Sequence, residues 1–393
     1  MAQFRRKVTG RRPPQVNKQE LFAVPPPLRD APIELVDLVG AAEVAAIQKA
    51  GVMQFHATGD TGVGLDSNQP LVAEALARDV NLTQPAAGPV FFLNLGDVIY
   101  GNGKSALYAN RFYRPNLPYL KPADGFEGII LAIPGNHDGE VRDPSDSPSL
   151  SAFQENFVQP LGSQPPMATS FGVKMVNQPG VYWLLEAPFL QLIGLYSNAG
   201  EDAGLLGMAA KDTTQTDWLT AKLKSIKQSR KSARKALIFA MHHPPYARGL
   251  QDSGLGHPGS PEMQAQLDGA CAAAGIWPDA VLSGHSHNYQ RYKRHCVAGK
   301  REFDIPYFVV GTGGISLQPA PTGVGAQKTE NPAPAGLTNS TVTYGNGDEN
   351  FGFVRVAASA TQLKITFIRA LGIHRQEFET VTMDLASQKQ LAP

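Results

Sequence analysis

The chain has 393 residues, 42% of them hydrophobic and 18% charged, the profile of a soluble globular protein large enough for one big domain or two, which excludes a chain disordered throughout. Its formal net charge of +1 gives no general attraction for nucleic acid or another polyanion, so any pull on phosphate must be local. No apolar run approaches the roughly 20 residues that span a bilayer, so no membrane partner is expected. The two cysteines, Cys271 and Cys296, allow one disulfide at most and are expected as reduced thiols.

Residues 1–35 form a basic, proline-rich arm. Arg5, Arg6, Lys7, Arg11 and Arg12 precede Pro25, Pro26 and Pro27, which disfavour a helix and predict an extended or disordered segment. The basic cluster runs into Pro13, Pro14, Gln15 and Asn17, where a signal peptide needs an apolar stretch. A cytoplasmic protein is therefore expected, and the sequons at Asn81 and Asn339 are read as chance.

One catalytic domain is expected over residues 36–393. Short apolar runs predict strands at Val52 to Phe55, Val90 to Leu95, Ile129 to Ile133, Val181 to Leu185, Leu190 to Leu195, Leu237 to Met241, Val281 to Leu282 and Tyr307 to Val310. Helical spacing predicts helices at Leu71 to Arg78, Thr216 to Ile226 and Glu262 to Ala274, so β and α alternate through the centre of the chain. Trp218, Leu219, Leu223 and Ile226 are expected to pack against a sheet. Gly139 to Ser151 and Ser316 to Asn350 are predicted surface loops, and Phe353 to Val356 with Leu363 to Ile368 a closing pair of strands.

Five polar motifs follow predicted strands, where open α/β sheets gather their ligand-binding loops. They are Gly59-Asp60-Thr61-Gly62, Gly96-Asp97-Val98-Ile99-Tyr100, Gly135-Asn136-His137-Asp138, Met241-His242-His243-Pro244 and Gly284-His285-Ser286-His287. A single Gly-Asp pair is more often a turn and a single His more often a satisfied polar residue. Together they supply carboxylate, imidazole, amide and phenolate groups without thiolates, a set that suits Fe, Mn or Zn in a reactive site better than a structural zinc, with enough ligands for two ions.

The order and spacing of these motifs resemble the calcineurin-like metallophosphoesterases. Most members open with Asp-x-His, whereas Gly62 stands two residues after Asp60. In the purple acid phosphatase branch that His is replaced by a Tyr three residues after the second Asp, and Tyr100 stands at that place. The stretch His287-Asn288-Tyr289-Gln290-Arg291 is similar to the aromatic and basic tail of the same branch.

The resemblance implies an α/β fold, a four-layer α/β/β/α sandwich of two mixed sheets. It implies two metal ions: Fe(III) held by Asp60, Asp97, Tyr100 and His287, and Fe, Zn or Mn held by Asp97, Asn136, His242 and His285, with Asp97 shared. His242 matches the ligand position of the adjacent pair, and His243 is the alternative or a supporting or substrate-side group. The metals would bring about +5 against about −4 from Asp60, Asp97, Tyr100 and a hydroxide, leaving a surplus that attracts phosphate.

Metal-bound hydroxide is the expected nucleophile, His137 by the same resemblance the expected general acid, and Asp138 a group that orients it or tunes its pKa. Arg248 and His257, between the fourth and fifth motifs, are candidate substrate contacts. His56, His295 and His374 lie outside the motifs and are read as structural. Hydrolysis of a small-molecule phosphate monoester is the leading expectation, a diester, perhaps of a nucleotide, the alternative, and a non-catalytic scaffold the reading of another class.

Overall fold

The computed structural model describes residues 23–123, 126–141, 148–199, 204–208, 212–249, 257–321 and 323–392. Its strands, among the described residues, are β1 (Ile33–Glu34), β2 (Val52–Thr58), β3 (Pro89–Asn94), β4 (Ile130–Ala132), β5 (Trp183–Glu186), β6 (Leu190–Leu195), β7 (Ala236–Met241), β8 (Ala280–Ser283), β9 (Tyr289–Ala298), β10 (Arg301–Val310), β11 (Gln327–Thr329), β12 (Asn339–Asp348), β13 (Gly352–Ser359), β14 (Gln362–Leu371), β15 (His374–Asp384) and β16 (Lys389–Gln390). They form one sheet in the order β1-β5-β6-β7-β8-β10-β9-β12-β11 and a second in the order β16-β15-β14-β13-β2-β3-β4. Both are mixed: β6, β7, β8 and β10 run parallel, as do β2, β3 and β4, while β5 pairs antiparallel with β6, β9 with β10, and β13 with β2.

Strand periodicity of two decides which side chain enters which layer. Met53, Phe55 and Ala57 of β2, Phe91 and Leu93 of β3, Ile238 and Ala240 of β7, and Ala280 and Leu282 of β8 meet in one core between the two sheets. The alternate residues face outward. Phe92 and Ile130 pack with Val72 and Leu76 of the helix Gln69–Asp79 outside the seven-stranded sheet. Leu237, Phe239 and Val281 pack with Leu219, Leu223, Ile226, Met263 and Leu267 of the helices Thr214–Ser229 and Pro261–Ala274 outside the nine-stranded one. The result is helix, sheet, sheet, helix, and each fully buried aliphatic or aromatic side chain contributes about 1.5–3 kcal/mol.

The predicted strands and helices all appear, nine of the thirteen lengthened by one to six residues, while Ile129 to Ile133 and Val181 to Leu185 shorten to β4 and β5. The largest correction concerns Ser316 to Asn350, expected as a loop, which contains β11 and the ten-residue β12. Its sequence NSTVTYGNGD is poor in the apolar residues that signal a strand, and it is held by its pairing to β9. The helix Leu35–Ala50 was not expected either; it is interrupted at Gly40, whose φ of 81° breaks the helical run.

Of the N-terminal arm, residues 1–22 lie outside the described residues, and residues 23–32 form no helix or strand. Of the loop expected at Gly139 to Ser151, residues 142–147 also lie outside them. Cys271 and Cys296 are buried free thiols. Among the described residues no helix is long and apolar enough to cross a membrane.

The parallel strands of both sheets end on the same side, and backbone hydrogen bonds join them there. Gly59 N–H donates to the Val310 carbonyl at 2.8 Å across the sandwich, Leu95 N–H to Thr58 at 3.0 Å, and Gly284 N–H to His242 at 2.9 Å. All five polar motifs emerge along this seam.

Candidate metal centre

Each motif begins where a strand stops, and the first backbone turn aims its side chain inward. Asp60, Asp97 and His285 adopt φ values of 63°, 52° and 67°, three of the five non-glycine residues in the left-handed region among those described. Such conformations cost free energy and persist where surrounding contacts over-determine them. Gly96, with φ of 99°, is a glycine for a second reason: a Cβ there would overlap the His242 ring.

The side chains converge in two groups. In the first, the Tyr100 hydroxyl donates to Asp60 Oδ1 at 2.8 Å and lies 3.1 Å from His287 Nε2, which is 3.5 Å from Asp60 Oδ1. In the second, Asn136 Oδ1 is 3.1 Å from both His242 Nε2 and His285 Nδ1, these nitrogens are 3.3 Å apart, and Asp97 Oδ1 is 3.4 Å from His242 Nε2. Ligand atoms of Asp60, Asp97 and His242 all lie within 4.8 Å of one another, which joins the two groups.

The donor set fits a cation. His242 Nδ1 lies 2.9 Å from the Leu95 carbonyl, so the neutral ring donates there and turns the Nε2 lone pair into the cluster. That lone pair faces the oxygens of Asn136 and Asp97 and a nitrogen of His285, a set of acceptors, buried or nearly so, that a metal ion would satisfy together.

With protons as the only counter-charge, the site is strongly polarised. Burial, and the charge of Asp97, push Asp60 up to about 7 against the pull of His242. Burial also opposes ionisation of Asp97, but His242 and His137 outweigh it and hold that carboxyl below the ordinary range. Burial is likewise outweighed at His242 and His137, both raised to about 9 chiefly by Asp97. Burial and neighbouring imidazoles press His285 and His243 well below the usual histidine value and His287 down to about 4. Burial and Asp60 raise the Tyr100 phenol well above its usual range.

The remaining predicted site residues take distinct places. His137 donates its backbone N–H to Asp97 Oδ1 at 3.0 Å, and its ring lies 4.7 Å from the Tyr100 ring. Its Nδ1 is 3.3 Å from the Gly101 carbonyl and 3.4 Å from Glu140, so Glu140, three residues on, holds the ring rather than Asp138. Asp138 instead accepts backbone N–H groups from Gly135 at 2.8 Å and from Val98 and Ile99 at 3.0 Å, clamping the second motif to the third.

His243 is fully buried, with Nδ1 2.9 Å from Ser197 Oγ and its ring 4.3 Å from that of His285. It therefore sits behind the cluster and not on a substrate-facing side. His257 is brought in, its ring 4.1 Å from His285 and 5.4 Å from His287. Arg248 is not: Gln290 fixes its backbone from both sides, and its guanidinium lies over the Tyr344 ring at 5.3 Å.

Three supporting residues escaped the sequence reading. Glu140 was detectable from its i,i+3 spacing to His137. Ser197 follows predicted strand β6 as the ligands follow theirs, but lacks a neighbouring Gly or His. Gln318, whose N–H donates to the His287 carbonyl at 2.7 Å, gave no signal inside a stretch expected to be a loop.

His56, His295 and His374 stay outside the cluster. His56 is buried and paired to Asp79 at 2.9 Å, and His295 to Asp304 at 2.8 Å.

The sequence pattern of the calcineurin-like phosphoesterases matches residues 53–289, which contain all five motifs. Among solved structures the chain is similar to GAP50, the anchor in the inner membrane complex of Plasmodium, at 12% identity and a TM-score of 0.51, covering 84% of this chain and 89% of that one. It is similar to PhoD at 11% identity and a TM-score of 0.51, covering 94% and 73%. At such identities the likeness concerns the fold. No curated protein matches the chain by sequence.

The absence of a histidine two residues after Asp60 has a local cause. A Cβ on Gly62 would overlap the Val98 carbonyl, because Gly62 N–H donates to Asp97 O at 3.1 Å and Tyr100 N–H to Gly62 O at 2.8 Å. The backbone segments before Tyr100 and after Asp60 thus touch, and that contact carries Tyr100 to Asp60. Gly62→Ala is expected to lower stability by about 1–3 kcal/mol, the range for overpacking, measured by urea unfolding. Wild-type stability of this variant would show that the contact does not hold the Tyr100 segment.

Proposed function

Since the chain belongs to the calcineurin-like phosphoesterase family, whose pattern covers 237 of its 393 residues, we propose that it hydrolyses phosphate monoesters at a two-metal centre of the purple acid phosphatase type. The observation that carries this is the pair of converging donor groups, Asp60, Tyr100 and His287 beside Asn136, His242 and His285, with Asp97 between them. Ions bound there would supply Lewis acidity toward the phosphoryl oxygens and lower the pKa of a water.

The protein's own groups do the rest. The Leu95 carbonyl fixes the His242 tautomer, and Asp138 holds the loops of Asp97 and Asn136 in register. His137 is the general acid: burial disfavours its proton, while the charge of Asp97, Glu140 and the Gly101 carbonyl favour it, so that with protons as the only counter-charge the imidazole is raised above its ordinary value. With Nδ1 held by Gly101 and Glu140, Nε2 is the nitrogen assigned to the leaving oxygen.

Tyr100 favours Fe(III) at its site. Burial and Asp60 resist loss of its proton, so a highly charged hard cation suits it better than a divalent one. A second reading, phosphodiester hydrolysis, uses the same groups and differs only in what surrounds them.

The test is the rate with a chromogenic monoester beside its diester, using metal-loaded protein and an Asp97→Asn control. Monoester preference lost in the control is expected; diester preference would favour the second reading, and turnover of neither would point to a scaffold. His137→Gln should lower kcat about 10²–10⁴-fold for an alkyl phosphate and far less for a nitrophenyl phosphate, whose leaving group needs no proton. An equal loss for both would remove His137 from the acid role. Iron-loaded protein should show a visible phenolate-to-iron band that Tyr100→Phe abolishes; a colourless iron-loaded protein would exclude the Tyr100–Fe(III) assignment.

A further inference from the structure

Beside the cluster, the loop after Met241 and the chain after His257 wall a cavity of about 410 Å³, within the ~300–1,000 Å³ of small-molecule sites. Its floor is aromatic: the Tyr292 ring is 6.0 Å from Tyr246 and 5.1 Å from Tyr344. Its rim carries the exposed cations Arg248 and Lys328, neither of them in an ion pair among the described residues. The carboxylate in its wall, Glu330, is already engaged by Arg294 Nε at 2.8 Å and the Tyr246 hydroxyl at 2.7 Å. The cavity is therefore apolar below and positive above.

It shares a wall with the metal centre. The His257 ring lies tilted against that of His285 at 4.1 Å, and the next two residues, Pro258 and Gly259, line the cavity. Gln290 ties the Arg248 backbone to the segment after His287: its Oε1 accepts from Arg248 N–H at 2.9 Å and its Nε2 donates to Asn288 Oδ1 at 3.0 Å.

We infer that this cavity seats the base of a nucleotide whose phosphate is hydrolysed at the metal centre, an inference that rests on the phosphoesterase reading and names its substrate class. A nucleobase offers a π face to the Arg248 guanidinium, which its contact with Tyr344 already holds, and to the aromatic floor. Its edge offers carbonyl and ring-nitrogen acceptors that match the ammonium donors of Lys328. An aliphatic leaving group leaves both features unused.

Guanosine 5′-phosphate and ribose 5-phosphate carry the same phosphate, leaving oxygen and sugar carbons at the reacting end, and differ in the base. The nucleotide should have a kcat/KM at least about tenfold higher, the size expected of one stacked base, with the difference chiefly in KM. Arg248→Gln, at an exposed position, and Tyr344→Leu, which keeps apolar volume, should each bring the ratio toward one. Guanosine alone, with nothing to hydrolyse, should bind the wild type and bind Arg248→Gln at least about tenfold more weakly in a calorimetric titration. Equal kcat/KM for the two esters, a base preference that both variants keep, or no guanosine binding beside normal ribose 5-phosphate turnover would overturn the subsite. Arg248-dependent guanosine binding without turnover of any ester would support the subsite while removing the hydrolase reading.

Discussion

Two carboxylates, Asp60 and Asp97, are buried side by side at the end of the sandwich, and much of the surrounding structure answers the cost of placing them there. Like charges in a low-dielectric interior cannot both ionise without compensation. With protons alone, Asp60 takes up a proton near neutral pH while Asp97 stays ionised beside His242 and His137. Cations would satisfy both carboxylates and the imidazole lone pairs together. Three left-handed backbone conformations, at Asp60, Asp97 and His285, are maintained for the same geometry.

Site and fold are coupled because the donors come from both sheets. Asp60, Asp97 and Asn136 follow β2, β3 and β4 of the seven-stranded sheet; His242, His285 and His287 follow β7 and β8 of the other. The His242 to Leu95 hydrogen bond and the Gly59 to Val310 bond cross between the sheets at the seam. Slippage of one sheet against the other would separate the two halves of the site, so the packed core of Phe55, Leu93, Ile238 and Leu282 sets ligand positions as well as stability.

Around this shared centre, residues near in sequence diverge in role. Asp138 lies inside the short helical turn Asn136–Gly139 and Glu140 directly after it, yet the first binds backbone and the second the His137 ring. His242 and His243 are adjacent on the chain, but alternation past the end of β7 sends one into the donor cluster and the other back to Ser197. His257 and Arg248 both lie between the fourth and fifth motifs, yet only His257 joins the histidines, while Arg248 turns to Tyr344 and the neighbouring cavity.

What the sequence by itself determined was the set of strands written as short apolar runs and the five motifs at their ends, because continuous apolar runs and Gly-flanked acids and histidines are local signals. It also carried the family resemblance, since motif order survives where overall identity does not. β9 and β12 were legible only in the folded chain. Tyr289, Arg294 and Ser340 are buried there through pairing and through the ion pairs of Arg294 with Asp268 and Glu330, contacts distant in sequence. The same holds for Asp138, Glu140, Ser197 and Arg248. Their roles depend on which backbone or ring lies opposite, and that is set by sheet packing rather than by any residue's own propensity.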